Sequence, residues 1–155
     1  YNVIAALSIG NFFNVSEIKM QSAIEGYIPS NSRSQMVEKE GNHIILDAYN
    51  ANPSSMKEAI ENFSKIKADN KILFIGAMME LGIESELEHQ AIVQFIKQYQ
   101  WKEVILVGKE FKKFASPFKY FNTSEEAAEW WKDHKTENNY LLVKGSRSTA
   151  MEKII

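Results

Sequence analysis

The sequence predicts an α/β fold, a mostly parallel sheet with helices on both faces, preceded by a short helical segment. Two observations carry that prediction. The stretches HIILDAY (43–49), KILFIGAM (71–78), EVILVG (103–108) and YLLVKG (140–145) are continuously apolar rather than alternating, as strands buried on both faces are. Between them stand segments whose apolar residues recur at helical spacing, and strands alternating with amphipathic helices build βαβ units.

Residues 1–28 read as two helices. In YNVIAALSIGNFF, Val3, Ile4, Leu7 and Phe12 form one apolar stripe, and Ser16 stands where it can cap a second helix with Ile18, Ala23 and Ile24 facing inward. YIPSNSRSQ (27–35) combines Pro, Ser and Asn with few apolar residues, as a linker does, and the domain boundary is expected there, between 28 and 29. SQMVEKEG (34–41) reads as an extra strand turning through Gly41 into HIILDAY. The spacing then predicts a helix over 54–68, with Met56, Ala59, Ile60, Phe63 and Ile66 on one face and Ser55 with Glu58 as its capping box. A second helix, over 85–99, has Ser85 and Glu88 at its start and Leu87, Ala91, Phe95 and Ile96 together. FKYFN (118–122) is a short strand, Thr123 and Glu126 cap a helix over 124–134, and 149–155 begins a last helix. YNVIAAL enters in mid-pattern with no cap before it, so the chain is expected to be a fragment of a larger protein.

Composition narrows the chemistry. The formal net charge is −2 and Cys is absent. Such a balance lacks the broad basic bias of a nucleic-acid binder. The lack of Cys excludes disulfides, thiolate metal sites and a thiol nucleophile, and it fits a reducing compartment. No apolar run reaches the ~18 residues of a membrane helix, so no membrane insertion is expected. Neither GxxxxGK[ST] nor GxGxxG occurs, which excludes a self-sufficient P-loop NTPase and a standard dinucleotide-binding domain. His43, His89 and His134 are too far apart in sequence to form a ligand pair, so no metal site is expected. His89 reads first as a surface or first-turn histidine and second as a group facing a cleft. Trp130 and Trp131 adjoin on a helix, which puts one in the core and leaves the other exposed or interfacial. Glu80 and Glu84 offer only proximity in favour of paired-carboxylate hydrolysis.

Ligands of open parallel sheets bind beyond the carboxyl ends of the strands. Those ends are followed here by YNANP, AMMELG, GKEF and KGSRS. GKEF reads equally well as a plain polar loop. The first is different: Asp47, Tyr49, Asn50 and Asn52 fall within six positions, more hydrogen-bonding and stacking groups than a connection requires. KGSRS sets Lys144 and Arg147 around Gly145, with Ser146 and Ser148 at a helix start, an arrangement suited to a phosphate or carboxylate.

DAYNANPSSM, GAMMELG with SELEH behind it, and VKGSRSTAMEKII together resemble, in this order, the C-terminal domain of the Mur ligase family. YNVIAAL resembles the end of that family's central ATP-binding domain, and SRSQ its hinge segment. The resemblance implies that residues 1–28 are the last helices of the central domain and 29–155 a Rossmann-like C-terminal domain. It further implies a cytoplasmic, monomeric amide ligase of peptidoglycan precursor synthesis that uses ATP and Mg²⁺. Such an enzyme would join D-alanyl-D-alanine to UDP-N-acetylmuramoyl-tripeptide through an acyl phosphate. Its P-loop and metal site would lie upstream, so these residues alone would be inactive and hold no catalytic residue.

Carried over position by position, Asn2 is similar to an adenine contact and Arg33 to the hinge arginine that reaches ATP phosphate. Asp47 is similar to the residue facing the ribose hydroxyls, and Tyr49 would stack near adenine. Asn50, Asn52, Lys144, Ser146 and Arg147 would line the D-alanyl-D-alanine side. The sequence departs from the family's usual pattern at Leu46, where a second acidic residue is common, at Ala77 in place of Asp, and at Ser32 in place of Gly. Two other readings stay open: another amide ligase of the folylpolyglutamate or cyanophycin synthetase type, and a non-catalytic nucleotide- or peptide-binding module.

Overall fold

The structure is a computed structural model that describes residues 2–28 and 31–155. The expected linker and boundary run over Pro29 and Ser30, and the first apolar stretch begins at Tyr1; these three lie outside the described residues. Helices α1 (Asn2–Phe12) and α2 (Glu17–Glu25) come first. The sheet follows as β1 (Gln35–Lys39), β2 (Asn42–Asp47), β3 (Lys71–Gly76), β4 (Glu103–Val107), β5 (Lys119–Phe121) and β6 (Tyr140–Lys144). Helices α3 (Pro53–Ser64), α4 (Ser85–Ile96) and α5 (Ser124–His134) connect the strands.

The strand order is β1-β2-β6-β3-β4-β5, and every pairing is parallel except β1 with β2. That exception has a local cause. Glu40 and Gly41 both sit at positive φ, 49° and 70°, between the paired residues Lys39 and Asn42. Two left-handed residues make the tight turn whose twist matches an antiparallel hairpin.

The continuous apolar strands serve two cores. Leu73, Ile75, Leu106 and Leu142 point to the face covered by Met56, Ile60 and Phe63 of α3 and by Ile92, Val93 and Ile96 of α4. Their neighbours Ile72, Phe74, Ile105, Leu141 and Val143 point to the face covered by Ala127 and Trp131 of α5 and by Met151 and Ile154. Trp131 is buried and Trp130 half-buried, as adjoining positions on a surface helix require.

Several expected details differ. The helix expected over 54–68 is Pro53–Ser64, and its cap is Asn52 rather than a Ser55–Glu58 box: Asn52 Oδ1 accepts from Ser55 N at 2.8 Å, and Ser55 Oγ accepts from Asn52 N at 3.2 Å. Pro53 occupies the first helical position, where its missing N–H costs nothing. The helix expected over 85–99 ends at Ile96 and has no side-chain cap; Ser85 turns to His89 instead, and Leu87 is exposed. In α2 the Ser16 side chain makes no cap bond, and Ile18 and Ala23 are exposed rather than facing inward. Val3, Ile4, Leu7 and Phe12 form no buried stripe, and α1 buries no residue in this chain. The last helix is replaced by two 3₁₀ turns, Arg147–Thr149 and Met151–Ile154, split by Ala150 at a left-handed φ of 47°.

Candidate functional site

The connections fix where a crevice opens. The chain leaves β2 toward α3 on one face of the sheet and leaves β6 toward Met151 and Ile154 on the other. β2 and β6 are neighbours, so the two loops diverge above them, which is where open parallel sheets bind ligands.

At the base of that crevice Asp47 and Lys144 end their strands. The Lys144 ammonium is buried, its side chain 2% exposed, and it donates to Asp47 Oδ2 at 2.5 Å. The backbone carbonyl of Asn50 lies 3.5 Å from the same ammonium. The second Asp47 oxygen accepts the backbone N–H of Ser34 at 3.1 Å, and Tyr49 N–H donates to the Ser32 carbonyl at 3.2 Å. One carboxylate thus ties the segment before β1, the end of β2 and the end of β6 together. Charge-assisted bonds of this kind are roughly twice as strong as neutral ones.

Above this base sit the groups that reach solvent. Tyr49 is 39% exposed. The Arg33 guanidinium carbon lies 3.6 Å from its ring centroid and that of Arg147 lies 5.8 Å away. Two guanidinium groups beside one exposed ring make a surface for an anion that also carries a planar group. Asn50 is exposed, and its Oδ1 accepts the N–H of Ala51 at 2.9 Å, which leaves its amide NH₂ as the group able to donate to a ligand.

The predicted residues therefore fall into groups. Arg33, Tyr49, Asn50 and Arg147 gather at the exposed rim. Asp47, Lys144 and Ser146 form the support beneath it, Ser146 being 3% exposed with its hydroxyl 3.3 Å from that of Ser148. The Asn52 carbonyl oxygen is committed to the α3 cap. Asn2 opens α1, stands exposed, and makes no hydrogen bond to these groups among the described residues. Ala77 is fully buried and its methyl packs toward Gly108, so this position offers no polar group to the crevice.

Sequence reasoning missed His89. It is fully buried rather than at the surface, and both ring nitrogens are used: Nε2 accepts from Met78 N–H at 3.0 Å and Nδ1 lies 2.6 Å from the Ser85 carbonyl. The available signal was the Ser85–His89 spacing of four at a helix start that follows an apolar strand. Thr149 was also missed. Its hydroxyl donates to the Ser146 carbonyl at 2.6 Å and closes the KGSRS turn. Beneath that turn Gly145 and Gly76 touch: a Cβ on Gly145 would lie 3.0 Å from Gly76 Cα.

A cleft of about 520 Å³ continues from Ser148 and Thr149 across the ends of β4 and β5 to Lys109, Asn122 and Lys153. Its floor includes an ion pair in which Lys153 donates to Glu125 at 2.5 Å. That hydrogen bond holds the surface Glu125 carboxyl down at about 2, and the same bond raises the Lys153 ammonium. A roomier groove of about 870 Å³ lies at the opposite edge, between Trp101, Lys102 and Phe118. Its lining is made by the residues that lead into β4 and β5 at their amino ends, whereas ligands of such sheets bind at the carboxyl ends, so the sheet's geometry favours the first edge. Among the described residues no group of three or more His, Asp or Glu side chains converges to hold a metal ion, and no helix is long and apolar enough to cross a membrane.

A UDP-N-acetylmuramoyl-tripeptide--D-alanyl-D-alanine ligase of Rickettsia prowazekii is 33% identical over 129 residues, covering 79% of this chain and 29% of the relative. A crystal structure of MurF from Acinetobacter baumannii superposes with a TM-score of 0.84 at 26% identity, covering 99% of this chain and 36% of that one. A bifunctional folylpolyglutamate synthase/dihydrofolate synthase from Yersinia pestis shares the fold alone, with a TM-score of 0.64 at 13% identity over 88% of this chain and 33% of that one. The chain spans about a third of the length of the curated relatives it matches. Residues 32–147, most of the chain and the span from Arg33 to Arg147, match the family model described as Mur ligase, glutamate ligase domain. On that match the chain belongs to the Mur ligase family.

Proposed function

We propose that this chain is the part of an ATP-dependent amide ligase that closes over the nucleotide and presents the amine substrate. The ligase adds D-alanyl-D-alanine to UDP-N-acetylmuramoyl-tripeptide in the cytoplasm. The observation that carries this reading is the Asp47–Lys144 pair, which draws the YNANP and KGSRS loops into one site. The matched relative whose name states that reaction lends it support.

In the proposed reaction a carboxylate oxygen of the tripeptide attacks the γ-phosphorus of ATP. The β–γ bridging P–O bond breaks, ADP leaves and an acyl phosphate forms. The dipeptide amine then attacks the acyl carbon, loses a proton and expels phosphate. Positioning and charge stabilisation supply most of the acceleration in such a sequence. Arg33 and Tyr49 meet the nucleotide, while Arg147 and the Asn50 amide meet the dipeptide. Lys144, buried and already paired, acts by fixing Asp47 and the Asn50 carbonyl. Asp47 offers its remaining lone pairs to the ribose hydroxyls. Mg²⁺, when bound, neutralises phosphate charge, and no residue of this chain is assigned to it. Residues 1–28 are the last helices of the preceding ATP-binding domain on this reading; the exposed apolar side chains of α1 and α2 and the family match beginning at 32 support that division.

The test uses the intact parent polypeptide with UDP-N-acetylmuramoyl-tripeptide and ATP, following phosphate release. Release that requires D-alanyl-D-alanine is the expected result. Release with L-glutamate instead would move the assignment to a ligase of the folylpolyglutamate type, and no release with any amine would leave a binding module.

A further inference from the structure

The Ala77–Met78 peptide bond is held at both ends. Its N–H donates to His89 Nε2 at 3.0 Å, and its carbonyl accepts the N–H of Ser146 at 3.2 Å. A backbone N–H can only donate, so Nε2 must be the acceptor nitrogen and the proton sits on Nδ1. There it meets the Ser85 carbonyl at 2.6 Å. Phe111 closes the pocket edge-on, its ring centroid 4.8 Å from that of His89. The result is one chain of hydrogen bonds running from the first turn of α4, through the imidazole and a single peptide plane, to the base of the KGSRS turn. Each bond polarises the next.

We infer that His89 is a positioning residue for the KGSRS turn. By fixing the plane of the Ala77–Met78 peptide it sets the Ser146 anchor, and through Ser146 the stance of Arg147. The role at a ligase site rests on the function proposed above, whereas the relay itself does not. His89 touches no ligand in this arrangement. Without an acceptor at Nε2 the Met78 N–H is buried and unpaired, which favours rotation of the peptide and loss of the Ser146 bond.

The test has two arms. In the 155-residue chain, nitrogen NMR of the His89 ring should show the neutral form with its proton on Nδ1. Amide hydrogen exchange at Ser146 should rise about tenfold or more in His89→Phe, with Leu142 in the neighbouring strand unchanged, because the opening is local. His89→Gln, whose amide oxygen can accept from Met78, should restore protection. A proton on Nε2 in the unaltered chain overturns the relay whether or not any variant folds. So does Ser146 exchange that stays unchanged in His89→Phe. In the parent enzyme, His89→Phe should raise KM for D-alanyl-D-alanine while KM for ATP stays level, and His89→Gln should reverse the change. Lost Ser146 protection with unaltered dipeptide KM would overturn the positioning role. A parent that never releases phosphate with the dipeptide would remove the ligase reading, while the exchange result still decides the relay.

Discussion

Asp47 and Lys144 stand opposite each other as a register pair of β2 and β6 and close an ion pair whose ammonium is almost wholly out of water. The two partners are unequal. Asp47 keeps some exposure and a second hydrogen bond from Ser34, whereas Lys144 has little besides Asp47. Asp47→Ala should therefore cost about 3–5 kcal/mol, because it strands a buried cation. Lys144→Met should cost less, and the double variant less than Asp47→Ala alone. Urea unfolding of the three variants checks this order; an Asp47→Ala loss below about 1 kcal/mol would contradict it.

Arg147→Ala in the parent enzyme should raise KM for D-alanyl-D-alanine about tenfold to hundredfold, the usual worth of a charge-assisted bond. KM for ATP should change little. Steady-state kinetics with each substrate varied in turn separates the two, and equal losses in both would take Arg147 off the dipeptide.

Asn52→Ala should destabilise the fold by about 1 kcal/mol through the lost α3 cap. Asn52→Asp keeps the cap and should restore stability. If Asn52→Asp also leaves the dipeptide KM at its normal value, the cap accounts for the residue, whereas a raised KM with full stability would give its amide a substrate contact.

Gly145→Ala would put a methyl 2.6 Å from Thr149 Oγ1, 2.7 Å from Met151 Cγ and 3.0 Å from Gly76 Cα. The last of these is backbone and cannot swing aside. Overpacking of this kind costs about 1–3 kcal/mol, so a lowered thermal midpoint is expected in calorimetry. An unchanged midpoint would mean that the KGSRS turn moves freely.

Glu125 titrates at about 2 in the folded chain because Lys153 hydrogen-bonds it, below its ordinary 4.5. A carboxyl depressed on folding contributes stability above its unfolded value and loses that contribution as the pH falls toward the folded one. Glu125→Gln should thus be slightly less stable than the unaltered chain above about pH 4.5, and the difference should close between about pH 4.5 and 2. Thermal melts of both proteins across that interval provide the check; a gap that widens on acidification would reverse the sign.

The sheet was legible in the sequence because its strands are continuously apolar, and that pattern has few other solutions. The hairpin at Glu40–Gly41 was legible through its glycine. Helix ends were not: Asn52 and Ser55 are both good caps, and only the extended backbone at Asn52 decides between them. Leu87 misled because an apolar residue at helical spacing can still face solvent. At the site, YNANP and KGSRS stood out by residue type alone. Burial did not. Nothing local distinguishes Lys144, sealed beneath the crevice, from Arg147 three positions later at its rim, since that depends on β6 lying between β2 and β3. His89 was hidden for the same reason, its partner being a backbone N–H eleven residues away.

The position of β6 also bears on how the molecule is made. β6, the last of the described strands, is the one that joins β2 to β3. Until residues 140–144 have been synthesised, the β1–β2 hairpin and the β3–β4–β5 block are separate pieces with open edges, and open edges pair with whatever strand they meet. Contacts this distant form slowly, and Lys144 reaches Asp47 across 97 positions. Insertion of this strand is thus the event that both seals the sheet and assembles the crevice, so a polypeptide that stops before residue 140 carries neither a finished sheet nor a site.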